Sequence, residues 1–127
     1  MRIGGPVYYI ISGTGPNDGC VIERETNSVH AYYELNETTW FLVQTNYDRD
    51  YPDPVTDPRR IPVENRLRER GNIHFEEKEL FEDFMSQWPT FNIATIMTAI
   101  MVPGSDYHNT TAWYGYNQSP PPTIIDE

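Results

Sequence analysis

The readable pattern opens with a run of β-branched and aromatic residues at 7–12 (Val-Tyr-Tyr-Ile-Ile-Ser), followed by the turn-forming stretch Gly13-Thr14-Gly15-Pro16-Asn17-Asp18-Gly19 and a second apolar run at 20–24. This predicts a hairpin with a long loop. Residues 29–35 alternate, placing Val29, Ala31, Tyr33 and Leu35 on one face, and residues 40–45 alternate again, with Phe41 and Val43 opposing Trp40, Leu42 and Gln44. The run of strands predicts a four-stranded meander. Between residues 46 and 60 the periodicity stops and prolines and aspartates dominate, the composition of an exposed loop. A loop of that length within a compact domain is often functional.

Pro62 is placed for the first turn of a helix over residues 62–70, with Val63 and Leu67 on one face, Glu64 spaced to pair with Arg68, and Gly71 as the stop. A second helix is predicted from the stripe Leu80, Phe81, Phe84, Met85 and Trp88. Glu76, Glu77 and Glu79 lie at its positive end, and Pro89 ends it. Residues 93–102 and 110–116 read as two more strands joined through Pro103-Gly104-Ser105-Asp106, and Pro120-Pro121-Pro122 begins a tail. The order strands, helices, strands predicts an α+β fold with a mainly antiparallel sheet and two helices. Residues 1–117 are expected to form the folded portion and 118–127 a flexible, proline-rich tail.

Length and charge narrow the function. The chain has 127 residues and a mass of 14.8 kDa, the size of one ordinary domain. A net charge of -10 and a pI near 4.6 repel a phosphate backbone, so nucleic acid is not an expected partner. The apolar stretch at 93–102 is about half of what a membrane span requires, so no transmembrane segment is expected. Cys20 is the only cysteine, which excludes an internal disulfide, and the spacing of His30, His74 and His108 suits no metal, so no metal and no cofactor are expected. Gly13-Thr14-Gly15 lacks the third glycine of a dinucleotide fingerprint and the lysine of a P-loop, which leaves it a turn. The first residues do not read as a signal peptide, yet Asn36, Asn109 and Asn117 each begin an N-glycosylation triplet of the kind found on secreted proteins.

Four stretches carry a family resemblance: Val7-Tyr8-Tyr9-Ile10-Ile11-Ser12-Gly13-Thr14, then Gly19-Cys20-Val21-Ile22-Glu23-Arg24, then Val43-Gln44-Thr45-Asn46-Tyr47-Asp48-Arg49, then Asp57-Pro58-Arg59-Arg60 with Pro62 beyond. Together they resemble the lysosomal acid ceramidase family, which includes N-acylethanolamine-hydrolysing acid amidase. The resemblance continues through Asn72-Ile73-His74-Phe75-Glu76 and the strand at 95–100, to about Val102. A Thr-Asn-Tyr-Asp followed at this distance by a double arginine is the specific part.

The resemblance implies an N-terminal-nucleophile hydrolase: helices enclosing two stacked antiparallel sheets (αββα), with autocleavage exposing a cysteine whose thiol attacks the amide of a lipid substrate and whose own α-amine shuttles the proton. It also implies that this chain corresponds to the C-terminal part of the catalytic β subunit. Two of the family's catalytic polar residues match, Asn46 as oxyanion donor and Arg59 as the first arginine of the pair. Read without the family, Asn46 is a strand-end cap and Arg59 a surface ion pair. Pro58 replaces a family acid, Ile61 a threonine, and His74 removes a sequon at Asn72. The nucleophile region has no counterpart, and Cys20, behind a turn glycine at a strand start, reads as a small buried hydrophobe. The expectation is a fragment of a lysosomal or secreted lipid amide hydrolase, acting on ceramide or an N-acylethanolamine. It would be inactive without its partners, the N-terminal part of the catalytic subunit and the α subunit. The alternative is a catalytically inactive lipid-binding or regulatory module derived from that family.

Overall fold

The computed structural model describes residues 7–113, which divide into two compact units with the boundary between Thr56 and Asp57. The architecture is α+β, with two antiparallel sheets and two helical regions. Asn117 and the proline-rich tail lie outside the described residues.

In the first unit, β1 (Val7–Ser12), β2 (Gly19–Arg24) and β3 (Val29–Glu34) form an antiparallel sheet in that order, with β2 central. The β1–β2 register pairs Tyr8 with Glu23 and Ile10 with Val21, and the β2–β3 ladder shifts at Glu23/Arg24. The predicted turn closes the hairpin: Asn17 takes a positive φ of 57°, and the Gly13 N–H donates to Asp18 O at 2.6 Å. Pleating puts alternate residues on opposite faces. Val21 and Glu23, each only 1% exposed, therefore share the covered face of β2. On the other face Tyr9, Ile11 and Tyr32 are exposed.

The predicted fourth strand is not formed. Residues 40–45 are half-buried but join no ladder. All six side chains are half-buried alike, so the sequence alternation marks no covered and open face, and their backbone is engaged otherwise, Val43 O accepting from the Arg49 guanidinium. An Asx turn precedes them, Asn36 Oδ1 accepting the N–H of Thr38 and of Thr39 at 3.0 and 2.9 Å.

In the second unit, α1 (Arg60–Arg70) starts two residues earlier than the Pro62 signal and ends as predicted at Gly71, whose φ is +79° and whose N–H closes on Leu67 O at 3.0 Å. The expected Glu64–Arg68 pair forms at 2.8 Å. The buried stripe is Arg60, Glu64 and Leu67. Val63, expected to share the inner face with Leu67, is half-buried.

The second helical region begins with one α turn, α2 (Glu77–Glu79), and continues as a π-helical turn, Leu80–Met85, where the Ser86 N–H reaches back five residues to Phe81 O at 2.8 Å. The wider turn shifts the stripe. Phe81 and Phe84 are buried while Trp88, placed on the same face by a 3.6 period, is exposed. Glu76 and Glu79 form a reciprocal capping box, Glu79 Oε2 accepting the Glu76 N–H at 3.0 Å.

The last two strands, β4 (Met97–Val102) and β5 (Tyr107–Ala112), form a hairpin whose register pairs Ile100 with Asn109. β4 begins four residues later than expected, since residues 93–96 lie outside the strand, and β5 begins three residues earlier. Asp106, with φ 56°, supplies the left-handed residue that brings the chain back early. Phe81, Ile100 and Trp113 form the core of this unit, with Leu80, Met85, Phe91 and Tyr107 packed around them.

Candidate functional site

Asn46 occupies an exposed turn just beyond the irregular segment, and its neighbours tie that turn to all three strands of the first sheet. From β1, the Tyr8 hydroxyl lies 2.8 Å from Asp48 Oδ1, to which it donates, and 3.3 Å from Asn46 O. From β2, Glu23 Oε1 accepts the Arg49 backbone N–H at 2.9 Å. From β3, the Tyr33 ring lies beneath the Arg49 guanidinium, 5.0 Å from its centroid. Gln44 adds a local clasp, its amide nitrogen donating to Thr45 O and Tyr47 O at 2.9 and 3.0 Å, and Thr45 Oγ1 donates to Asp53 Oδ1 at 3.0 Å.

The electrostatics beneath the turn are anionic. Burial raises the Tyr33 hydroxyl above the ordinary phenol range, and the negative charges of Glu23 and Asp50 push the same way against the opposing pull of Arg49. Tyr33 stays a neutral donor and contacts Asp50 Oδ1 at 3.3 Å. Asp50 Oδ2 also lies 3.6 Å from His30 Nε2, and Glu25 Oε1 lies 3.8 Å from His30 Nδ1.

Arg59 lies in the second unit, immediately before α1, and is half-buried. Its guanidinium is ion-paired with Asp57: Nη2 donates to Oδ2 at 2.8 Å, and Nε lies 2.7 Å from Oδ1. Each of the two candidate residues is thus held by its own local frame: Asn46 by the sheet, Arg59 by Asp57.

Residues that sequence reading passed over belong to each frame. Glu23 is buried on the covered face of β2, a position its period-two relation to Val21 marks. Arg60 and Glu64, read as a loop end and a surface pair, are buried at 4% and 7% exposure, and no apolar periodicity signals them. Cys20 is half-buried rather than a core residue. Hydrogen bonding to its sulfur raises the Tyr32 hydroxyl above its ordinary range. Among the described residues no three His, Cys, Asp or Glu side chains are grouped so as to hold a metal ion, and no helix is long and apolar enough to cross a membrane.

No family profile matches the chain. Individual proteins do. The N-acylethanolamine-hydrolyzing acid amidase of Mus musculus is 38% identical over 97 residues, which is 75% of this chain and 26% of that protein. Its counterpart in Caenorhabditis elegans is 37% identical over 114 residues, 85% of this chain and 31% of that protein. The acid ceramidase of Heterocephalus glaber is 36% identical over 98 residues, 76% of this chain and 25% of that protein. The chain is a homologue of the acid ceramidase family. It spans about a quarter to a third of the length of these relatives. Both names in the comparison denote hydrolases.

Proposed function

We propose that this chain carries the oxyanion-donor and arginine portion of a lipid amide hydrolase that releases a fatty acid from ceramide or an N-acylethanolamine. The observation that carries the reading is the turn bearing Asn46, which keeps the family's Thr-Asn-Tyr-Asp sequence and is tethered to β1, β2 and β3. In this mechanism the cysteine nucleophile belongs to the N-terminal part of the catalytic subunit, beyond these 127 residues. Its thiol gives a proton to its own α-amine and attacks the amide carbonyl. The carbonyl oxygen gains the negative charge, and the Asn46 side-chain amide donates a hydrogen bond to it. Collapse of the tetrahedral species breaks the C–N bond, the α-amine passes its proton to the departing nitrogen, and water then cleaves the thioester. Arg59, paired with Asp57, contributes positive charge that favours thiolate and orders nearby carboxylates.

Cys20 has no part in this scheme. It lies in a strand, in contact with Tyr32. The parent protein would be lysosomal or secreted, with glycans at the exposed Asn36 and at Asn109 and Asn117. The deciding experiment assays the protein expressed from its full reading frame on ceramide and on an N-acylethanolamine at acidic pH. Turnover of either is expected, and Asn46→Ala should lower kcat by about 10² to 10³, the usual loss for one oxyanion donor. Wild-type turnover in Asn46→Ala would remove that residue from the mechanism, and a protein that turns over neither lipid would refute the reading.

A further inference from the structure

Asn46 stands on an exposed turn, and where that turn stands follows from the groups that hold the backbone of residues 45–49. One of the groups holding that backbone is unusual. Glu23 is 1% exposed at the centre of the sheet, and glutamate is almost never so deeply buried without a partner. Its partner is not a cation side chain but the Arg49 backbone N–H, held by Oε1 at 2.9 Å, while Oε2 has no hydrogen-bond partner. Burying a carboxylate for one backbone hydrogen bond is costly in stability terms and would be poorly explained by packing alone. An apolar side chain of similar length would fill the same space beside Val21.

We infer that Glu23 is a positioning residue: its carboxylate anchors the Arg49 backbone and thereby sets where the Asn46 turn stands above the sheet. Beside this anchor stand tethers that are local or nearer the surface, among them the Tyr8 hydroxyl at Asp48 and the Gln44 amide at Tyr47 O. Glu23 reaches the far end of the turn, so that Asn46 is bracketed by the Gln44 clasp on one side and by Glu23 on the other. The Arg49 guanidinium meanwhile spans from Val43 O to the Tyr33 ring. The inference rests on the proposed role of Asn46, because a donor displaced by 1 Å can lose about a hundredfold in rate.

The test uses the full-length protein with two readouts, steady-state kinetics on the lipid amide and hydrogen exchange at the Arg49 amide. Glu23→Met keeps length and removes the acceptor. It should lower kcat by about tenfold to a hundredfold with KM within about threefold, and it should speed Arg49 exchange. Glu23→Gln keeps an acceptor oxygen and should restore both. If Glu23→Met does not accumulate folded, Glu23→Asp decides instead, since it keeps the charge but loses the reach and must show the same two changes. Unchanged Arg49 exchange in the acceptor-less or shortened variant, or a kcat loss that Glu23→Gln fails to restore, overturns the inference. Asn46→Ala in the same assay separates the two ideas. If it keeps full turnover the oxyanion role fails, whereas a loss in Asn46→Ala alongside an unaffected Glu23→Met defeats only the positioning role.

Discussion

Trp113 donates its indole N–H to Thr98 Oγ1 at 3.0 Å, and both residues are buried. The bond links the residue after β5 to the second position of β4, while the Trp113 backbone N–H continues the hairpin by donating to Ile96 O at 2.9 Å. The indole ring meanwhile lies nearly parallel to Phe81, with centroids 6.0 Å apart, and edge-on to Phe91 at 5.0 Å. One side chain thus joins strand pairing to the helix core.

Replacing Thr98 by valine keeps shape and leaves the indole N–H buried and unpaired. A loss of about 1–3 kcal/mol is expected, the desolvation penalty of an orphaned donor. Thr98→Ser should recover most of it. Denaturant unfolding of the two variants measures this, and equal midpoints for wild type and Thr98→Val would show that the bond contributes nothing.

Gly71 gives a second stability prediction with the opposite appearance. A Cβ built there meets nothing within 4 Å, so space is no obstacle, but its φ of +79° is one that side-chain-bearing residues rarely adopt. Gly71→Ala should therefore destabilise by about 1–3 kcal/mol through backbone strain. A thermal melt in which Gly71→Ala is as stable as wild type would mean the helix end relaxes to another conformation.

The elements that sequence made legible are those in which local chemistry and tertiary burial agree. The 7–12 and 20–24 runs, the Gly13–Gly19 turn, the Gly71 stop and the Glu64–Arg68 pair all rest on local rules, and all appear. Residues 40–45 alternate in sequence yet are all half-buried and join no ladder, because a pattern of side chains does not by itself supply a neighbouring strand for the backbone. Trp88 failed because a π-helical turn, closed by a bond from Ser86 to Phe81, adds a residue to the turn and rotates every later side chain about the helix axis. At the candidate site Asn46 and Arg59 were marked by motif. Glu23 was not: its period-two relation to Val21 puts it on the same face, but only the structure shows Arg49 folding back over that face, where a glutamate otherwise reads as solvent-facing.

Arg59 provides a test that distinguishes the guanidinium's pairing with Asp57 from simple positive charge. Lysine keeps the charge but cannot span both Asp57 oxygens as the guanidinium does at 2.7 and 2.8 Å. Arg59→Lys in the full-length enzyme should lose about tenfold in kcat, because a charge-assisted hydrogen bond contributes about 1.5–3 kcal/mol and 1.4 kcal/mol is a factor of ten. Full activity in Arg59→Lys would reduce the residue's part to charge alone.

The start of the second helical region sets how the fold responds to acid. The Glu76 backbone N–H, donated to the Glu79 carboxylate at 3.0 Å, holds Glu79 below its ordinary value of 4.5, with Arg70 at 3.1 Å and His74 adding to the effect and desolvation opposing it. Because the folded value lies below the unfolded one, this stabilisation is fully present above the ordinary carboxylate range and is lost as pH falls through the lowered value. The cap therefore persists in mild acid and fails only in stronger acid. Arg70 also lies over the Phe75 ring, 4.9 Å from its centroid, so the guanidinium keeps a contact when Glu79 is protonated. Glu79→Gln retains an acceptor for the Glu76 N–H but no charge for Arg70. Its melting temperature should accordingly be lower than wild type at pH 7, with the difference closing as pH falls below the ordinary carboxylate range and the wild-type carboxylate takes up its proton. High salt should narrow the gap at pH 7 by screening the Arg70 attraction, leaving the backbone hydrogen bond in place. A gap that persists unchanged far below the ordinary carboxylate range would show that Glu79 acts through its shape rather than its charge.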